Sequence, residues 1–107
     1  MSKPLKLQIV EQARAPVADE SRWCRGELAR DAKGRGVCLM SESATKRCGL
    51  GALMAASYEM TGHHRAAYDL AIRAMQPLYG TTTLVKVNDL RGHAAVLALF
   101  DEVIAAE

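Results

Sequence analysis

The chain has 107 residues and half of them are hydrophobic, which suits a single domain with its own packed core. Only 5% are aromatic, and the abundance of alanine and leucine favours close-packed helices over a β-sandwich, because small side chains let helix axes approach. A formal charge of +2 with 24% charged residues does not mark a dedicated nucleic-acid binder, and no uninterrupted apolar run reaches the roughly 18 residues a membrane span needs.

The opening residues, MSKPLKLQIVEQAR, carry charges every few positions and no apolar core of a signal peptide. The three cysteines, Cys24, Cys38 and Cys48, are an odd number, which reads first as free thiols in a reducing cytoplasm and second as one disulfide plus a spare. Residues 4–16 predict a first helix: Pro4 suits a first-turn position, and Leu5, Ile9 and Ala13 recur at helical spacing. The alternation of Leu5, Leu7 and Ile9 keeps a strand as the rival, and Pro16 should end or bend the helix. A polar link, 18–22, leads into WCRGELARDAKGRG at 23–36. There Asp31 to Gly34 has the chemistry of a tight turn, across which residues 28–30 and 35–38 could pair as a short hairpin.

Residues 41–60 predict the central helix, with Ser41 or Ser43 as its cap. Seven of the ten residues in CGLGALMAAS are small, and a helix apolar all round belongs inside the fold. Gly49 and Gly51 would each cost a helix interior about 1 kcal/mol against alanine. Their presence therefore implies a backbone or large ring lying across them, with Trp23 or the C-terminal helix as the natural candidate. Residues 63–79 predict a further helix with Ala67, Leu70, Ala71, Ala74 and Leu78 on one face. TTTLVKVND at 81–89 reads as a short strand or a single turn, with Asn88 and Asp89 suited to cap the helix after it. The last helix, 92–107, has its apolar stripe at Val96, Leu99, Phe100, Val103 and Ile104. The expected fold is mainly α: one domain over 1–107, about four helices around a Gly/Ala-rich central one, and a short β-hairpin or ordered loop between the first two.

Four fragments stand in a telling order: Trp-Cys-x-Gly-x-Leu-Ala-Arg-Asp-x-x-Gly at Trp23 to Gly34, then CGLGAL, VND and GHAAVLALFDEVI. Over roughly residues 5–105 this order resembles a family of small uncharacterised proteins of bacteria and their phages, a domain of unknown function. Arg47 stands where that family often has an aromatic residue, so no aromatic contact beside Cys48 carries over. The resemblance brings no established activity. It implies a protein of the bacterial cytoplasm, acting on a host protein such as a defence component.

The candidate sites divide between structure and function. Trp23 reads as a core anchor needing a partner for its indole N–H, or as a half-exposed ring at a binding surface. Gly26, Asp31, Gly34, Gly49, Gly51, Asn88 and Asp89 read as structural. Residues 22–47 hold seven basic side chains (Arg22, Arg25, Arg30, Lys33, Arg35, Lys46, Arg47) against three acidic ones (Glu27, Asp31, Glu42). If Arg25, Arg30, Lys33, Arg35 and Arg47 converge, they form a face for an acidic protein, or more weakly for nucleic acid; otherwise they are a solvated surface. Cys24 and Cys48 are the alternative, as reactive thiols of an enzyme or sensor, and Cys24 with His93 and Asp89 is the one triad that can be drawn. A zinc site of Cys24, Cys38, Cys48 and His93 lacks closely spaced ligand pairs, and the Gly-x-Gly of GLGAL lies in a helix rather than after a strand. No cofactor, metal or membrane partner is therefore expected. The reading is a non-catalytic interaction protein.

Overall fold

The computed structural model describes residues 4–62 and 81–105. The first helix, α1 (Leu5–Val17), begins where Pro4 offers its carbonyl to the Gln8 N–H at 3.1 Å. Its buried face is Ile9, Val10, Ala13 and Val17, whereas Leu5 is exposed. The inward stripe thus starts one turn later than the predicted one, and the strand alternative does not occur. Pro16 lies inside the helix, close to its end, so the one hydrogen bond its missing N–H forfeits falls in the last turn. The polar link is ordered as a 3₁₀ turn, Glu20–Arg22, capped by Asp19, whose carboxylate accepts from the Ser21 N–H at 3.0 Å.

The 23–47 segment holds the small antiparallel pairing expected between the first two helices and adds a second one to it. The Asp31 turn forms, with Asp31 N–H to the Arg35 carbonyl at 2.8 Å and Gly34 N–H to the Asp31 carbonyl at 3.0 Å. Across it residues 28–30 and 35–38 pair as expected, through an antiparallel bridge from Gly36 to Arg30 and the bond from Val37 N–H to the Ala29 carbonyl. The ladder proper joins β1 (Ala29–Arg30) to β2 (Lys46–Arg47), antiparallel, with Ala29 opposite Arg47 and Arg30 opposite Lys46. Arg47 also bridges to Trp23 in parallel. Residues 28–30 are therefore a middle segment whose backbone is satisfied along both edges.

This pairing fixes where the central helix begins. Residues 46–47 are extended against β1, so α2 (Gly49–Thr61) starts after them and not at residue 41. Its cap is Cys48, whose sulfur accepts from the Gly51 N–H at 3.2 Å. Ser41 and Ser43, predicted as caps, instead bond to each other in the preceding turn at 2.9 Å. Gly49 and Gly51 consequently fall in the first turn rather than mid-helix. Eight residues of α2 are buried, among them Leu50, Leu53 and Ala56, and the buried Ser57 hydroxyl is satisfied by the Leu53 carbonyl at 2.8 Å.

The helix predicted over 63–79 lies outside the described residues. TTTLVKVND is neither strand nor single turn: α3 (Thr81–Lys86) runs directly into a π-helical turn, Val87–Arg91. Here the tertiary demand for Leu84 and Asn88 on the inside, 1% exposed each, overrides β-branched propensity. Asn88 and Asp89 lie within that turn, not ahead of the last helix, α4 (His93–Ala105). Val96, Leu99, Phe100 and Val103 are buried along α4 as its stripe requires, with Ile104 packed beside them. An exposed ion pair from Arg14 to Asp101, 2.7 Å at its shorter bond, links α1 to α4 and adds little on its own.

The two glycines of α2 do meet close neighbours, though not the pair expected. A Cβ on Gly49 would lie 3.1 Å from a Val96 methyl of α4, as anticipated. A Cβ on Gly51 would lie 2.2 Å from the backbone oxygen of Leu28, in the loop. That carbonyl is already engaged by the Cys48 N–H at 3.2 Å, so it has little freedom to retreat. Gly51→Ala should therefore destabilise the protein by about 1–3 kcal/mol in urea titration, despite alanine's better helix propensity. A variant as stable as the parent would show that the loop is not seated on α2.

Candidate functional site

Asn88 projects from the π turn to where the 23–28 loop meets the first turn of α2. Its Oδ1 accepts from the Trp23 indole N–H at 2.7 Å and from the Gly49 backbone N–H at 2.9 Å. Its Nδ2 donates to the Cys24 carbonyl at 3.1 Å and to the Asp89 carboxylate at 3.0 Å. Two donors on one side and two acceptors on the other fix which way the amide faces. The same Asp89 oxygen accepts from the Gly26 N–H at 3.0 Å. Gly26 has a φ of +83°, a conformation that costs any residue with a Cβ. Trp23 is thus an anchor, with its ring 5.5 Å from the His93 ring and the Arg25 guanidinium 5.1 Å over its face.

The basic residues are placed unequally. Arg25 reaches from the Trp23 face to the Asp89 carbonyl at 3.3 Å. Arg30 turns its fork inward, onto the Gly34 carbonyl at 2.8 Å and the Arg25 carbonyl at 3.0 Å. Arg47 donates to the Leu39 carbonyl at 3.2 Å, and its buried Nε has no hydrogen-bond partner among the described residues. Arg35 pairs with the buried Asp31 at 2.8 Å. The Asp31 carboxyl is held below its usual range, chiefly by the Arg35 backbone N–H and also by the Arg35 side chain. Lys33 and Arg35 remain exposed at the tip, beside an open hollow of about 280 Å³ that Ser43 and Thr45 also line.

Cys24 and Cys48 flank the Asn88 hub and are free and buried, while Cys38 is free and exposed. Burial pushes the Cys24 thiol up to about 11, with the neighbouring Cys48 adding to the shift, and burial raises Cys48 as well. A nucleophilic or sensor thiol needs the opposite shift. The members of the candidate triad face other groups: Cys24 sulfur the Glu27 carbonyl at 3.5 Å, His93 Nε2 the Val17 carbonyl at 2.6 Å, and Asp89 the Gly26 N–H. Among the described residues no three His, Cys, Asp or Glu side chains gather as metal ligands. Cys48 does line a cleft of about 240 Å³, with Leu28, Val85, Asn88 and Asp89 among its walls.

Sequence reasoning anticipates a partner for the Trp23 N–H but does not find it. Asn88 reads as a helix cap, and the one available signal is its place beside Asp89 in the VND fragment. His93 reads only as a ligand or base, yet it packs on Trp23.

Fold and site define a small, mainly helical domain with a hydrogen-bonded basic loop mounted on it. The chain belongs to the family of unknown function DUF6197, whose model matches residues 1–106. No curated protein and no solved structure matches it significantly.

Two measurements check this site. Asn88→Ala orphans buried donors and an acceptor, each costing about 1–3 kcal/mol, so urea unfolding should show a loss of about 3 kcal/mol or more. Trp23, the single tryptophan, should then shift its emission to the red. A neutral effect would mean the hub is not formed. For the thiols, iodoacetamide at neutral pH should label Cys38 first and leave Cys24 slower than a free thiol. The folded chain holds the Cys24 proton more tightly than the unfolded one, whose thiol titrates near 9.0. This contribution to stability is complete below that value and is lost as pH rises towards about 11. Fast labelling of Cys24 at neutral pH would refute its burial.

Proposed function

We propose that this protein is a non-catalytic interaction module that captures an acidic surface of another protein through its 22–47 loop. The observation that carries the reading is the contrast within that loop. Its frame is fixed by buried hydrogen bonds through Asn88 and by the Asp89 carboxylate, while Lys33 extends from the tip into solvent and Arg35, paired with Asp31 through its Nε, stays largely exposed beside it. A loop ordered before binding loses less conformational entropy on contact, and exposed cations steer an acidic partner towards it. Arg25 offers the outer edge of its guanidinium to the same partner, whereas Arg30 and Arg47 support the frame. The setting we propose is the bacterial cytoplasm, in a protein of phage derivation whose partner is a host protein such as a defence component.

A cysteine-dependent enzyme or thiol sensor is the second reading, favoured by one observation, that Cys48 lines a cleft; the raised thiols weigh against it. Weak nucleic-acid binding by the same cations is the third, to be read by an electrophoretic shift that falls steeply with salt.

The test compares affinity capture by the parent with capture by the triple variant Arg25→Gln, Lys33→Glu, Arg35→Gln. The variant should keep its helical circular dichroism and lose a stoichiometric acidic partner. Identical capture profiles from the two folded proteins would refute the reading.

A further inference from the structure

Four large hydrophobic side chains are exposed among the described residues, and Leu90 of the π turn is by far the most so, at 78%. Leu90 forms one wall of a groove of about 540 Å³ between the π turn and α4. Val87 continues that wall, and Ala95, Ala98 and Leu99 form the floor along α4. The α4 lining runs from Ala95 to Glu102, about two helical turns or roughly 10 Å. The groove is therefore a trough parallel to a helix rather than a rounded pocket. Small side chains in its floor allow another backbone to approach closely.

Charge around the trough is one-sided. Lys86 and Arg91, both exposed, stand on the π-turn side and carry no ion pair among the described residues. Arg25 extends this basic rim, since it reaches the Asp89 carbonyl and lies where a Cβ on Gly92 would come 3.1 Å from its Nη2. On the α4 side the lining offers a single carboxylate, Glu102. A segment seated here needs apolar side chains facing Leu90, Ala98 and Leu99, and acidic ones facing Lys86 and Arg91.

We infer that the Leu90 groove is the docking site for an acidic amphipathic helix of a partner protein. Helix-in-groove recognition uses this combination of an apolar trough and a charged rim. Leu90 supplies the apolar anchor, and the three cations fix the direction and sign of the bound helix. The inference rests on the reading of an acidic protein partner and assigns it a contact area. Arg25 joins that area to the loop, so one partner can span both.

The experiment uses the full chain and two fluorescent peptides of about four helical turns. Both carry leucines at i, i+3 or i+4, and i+7; one has glutamate and the other lysine at the remaining positions. Fluorescence anisotropy at low salt should show saturable binding of the glutamate peptide and much weaker binding of the lysine peptide. Leu90→Asp, the pair Lys86→Glu with Arg91→Glu, and Ala98→Trp, which fills the trough without changing charge, should each weaken binding by about tenfold or more. Unchanged circular dichroism establishes that these surface variants fold.

Equal binding of the two peptides, or no saturable binding by the parent, overturns the inference. So does self-association of the protein that Leu90→Asp abolishes, because a second copy would then occupy the groove. Capture of an acidic partner that the loop variants lose and the groove variants keep would overturn the groove alone and leave the loop reading standing.

Discussion

A single carboxamide sets the geometry of this protein. The Asn88 side chain joins three pieces of chain: the loop at Trp23 and Cys24, the first turn of α2 at Gly49, and its own π turn through Asp89. Buried at 1% exposure, it works where an unmet donor or acceptor is expensive, so the three pieces have one low-energy arrangement rather than several. The π turn is part of the same constraint. Closing through Gly92 N–H to the Val87 carbonyl at 3.1 Å, it takes one more residue per bond than an α-helix, and such turns recur where a helix is adapted to a particular contact. Here two consecutive side chains, Asn88 and Asp89, both serve the loop.

The arginines show how a count of charges can mislead about a surface. A guanidinium has five donors in a fixed plane, and a loop of irregular backbone has carbonyls with no helix or sheet to satisfy them. Arg30 answers two of these, at Arg25 and Gly34, and Arg47 answers one, at Leu39. Arg25 covers the Trp23 ring. Four of the five cations that read as a binding face are thus also internal supports of the loop, Arg35 through its pair with Asp31, and the outward charge is concentrated at Lys33 and the exposed edge of Arg35, with Lys86 and Arg91 on the neighbouring ridge.

The fold was legible where local pattern and tertiary demand agree. The stripe of α4 and the apolar run of α2 come directly from spacing and composition, and the Asp31 turn from its residue types. The misplaced start of α2 has a nonlocal cause, because residues 46–47 are drawn into a ladder with residues 29–30, a pairing that no periodicity announces. For TTTLVKVND, β-branched residues took a helical course because Leu84 and Asn88 had to face inward. The site was half legible: an indole that needs an acceptor can be read from one residue, but the acceptor stands 65 positions away. Gly51 signalled a close approach without naming the neighbour, since the neighbour is a carbonyl, and backbone leaves no mark in side-chain identity.

That 65-residue separation also bears on the order in which the chain takes shape. During synthesis the N-terminal part of a chain emerges first and domains fold as units. Trp23, Cys24 and Gly49 are translated well before Asn88, so their polar groups must stay hydrated, or be paired otherwise, until the π turn leaves the ribosome. Contacts this distant in sequence carry a closure entropy that slows folding. The basic loop therefore closes only after residue 88 has been made. Until then its frame stays open, so the final shape of the loop is set by a segment translated more than 60 residues after it.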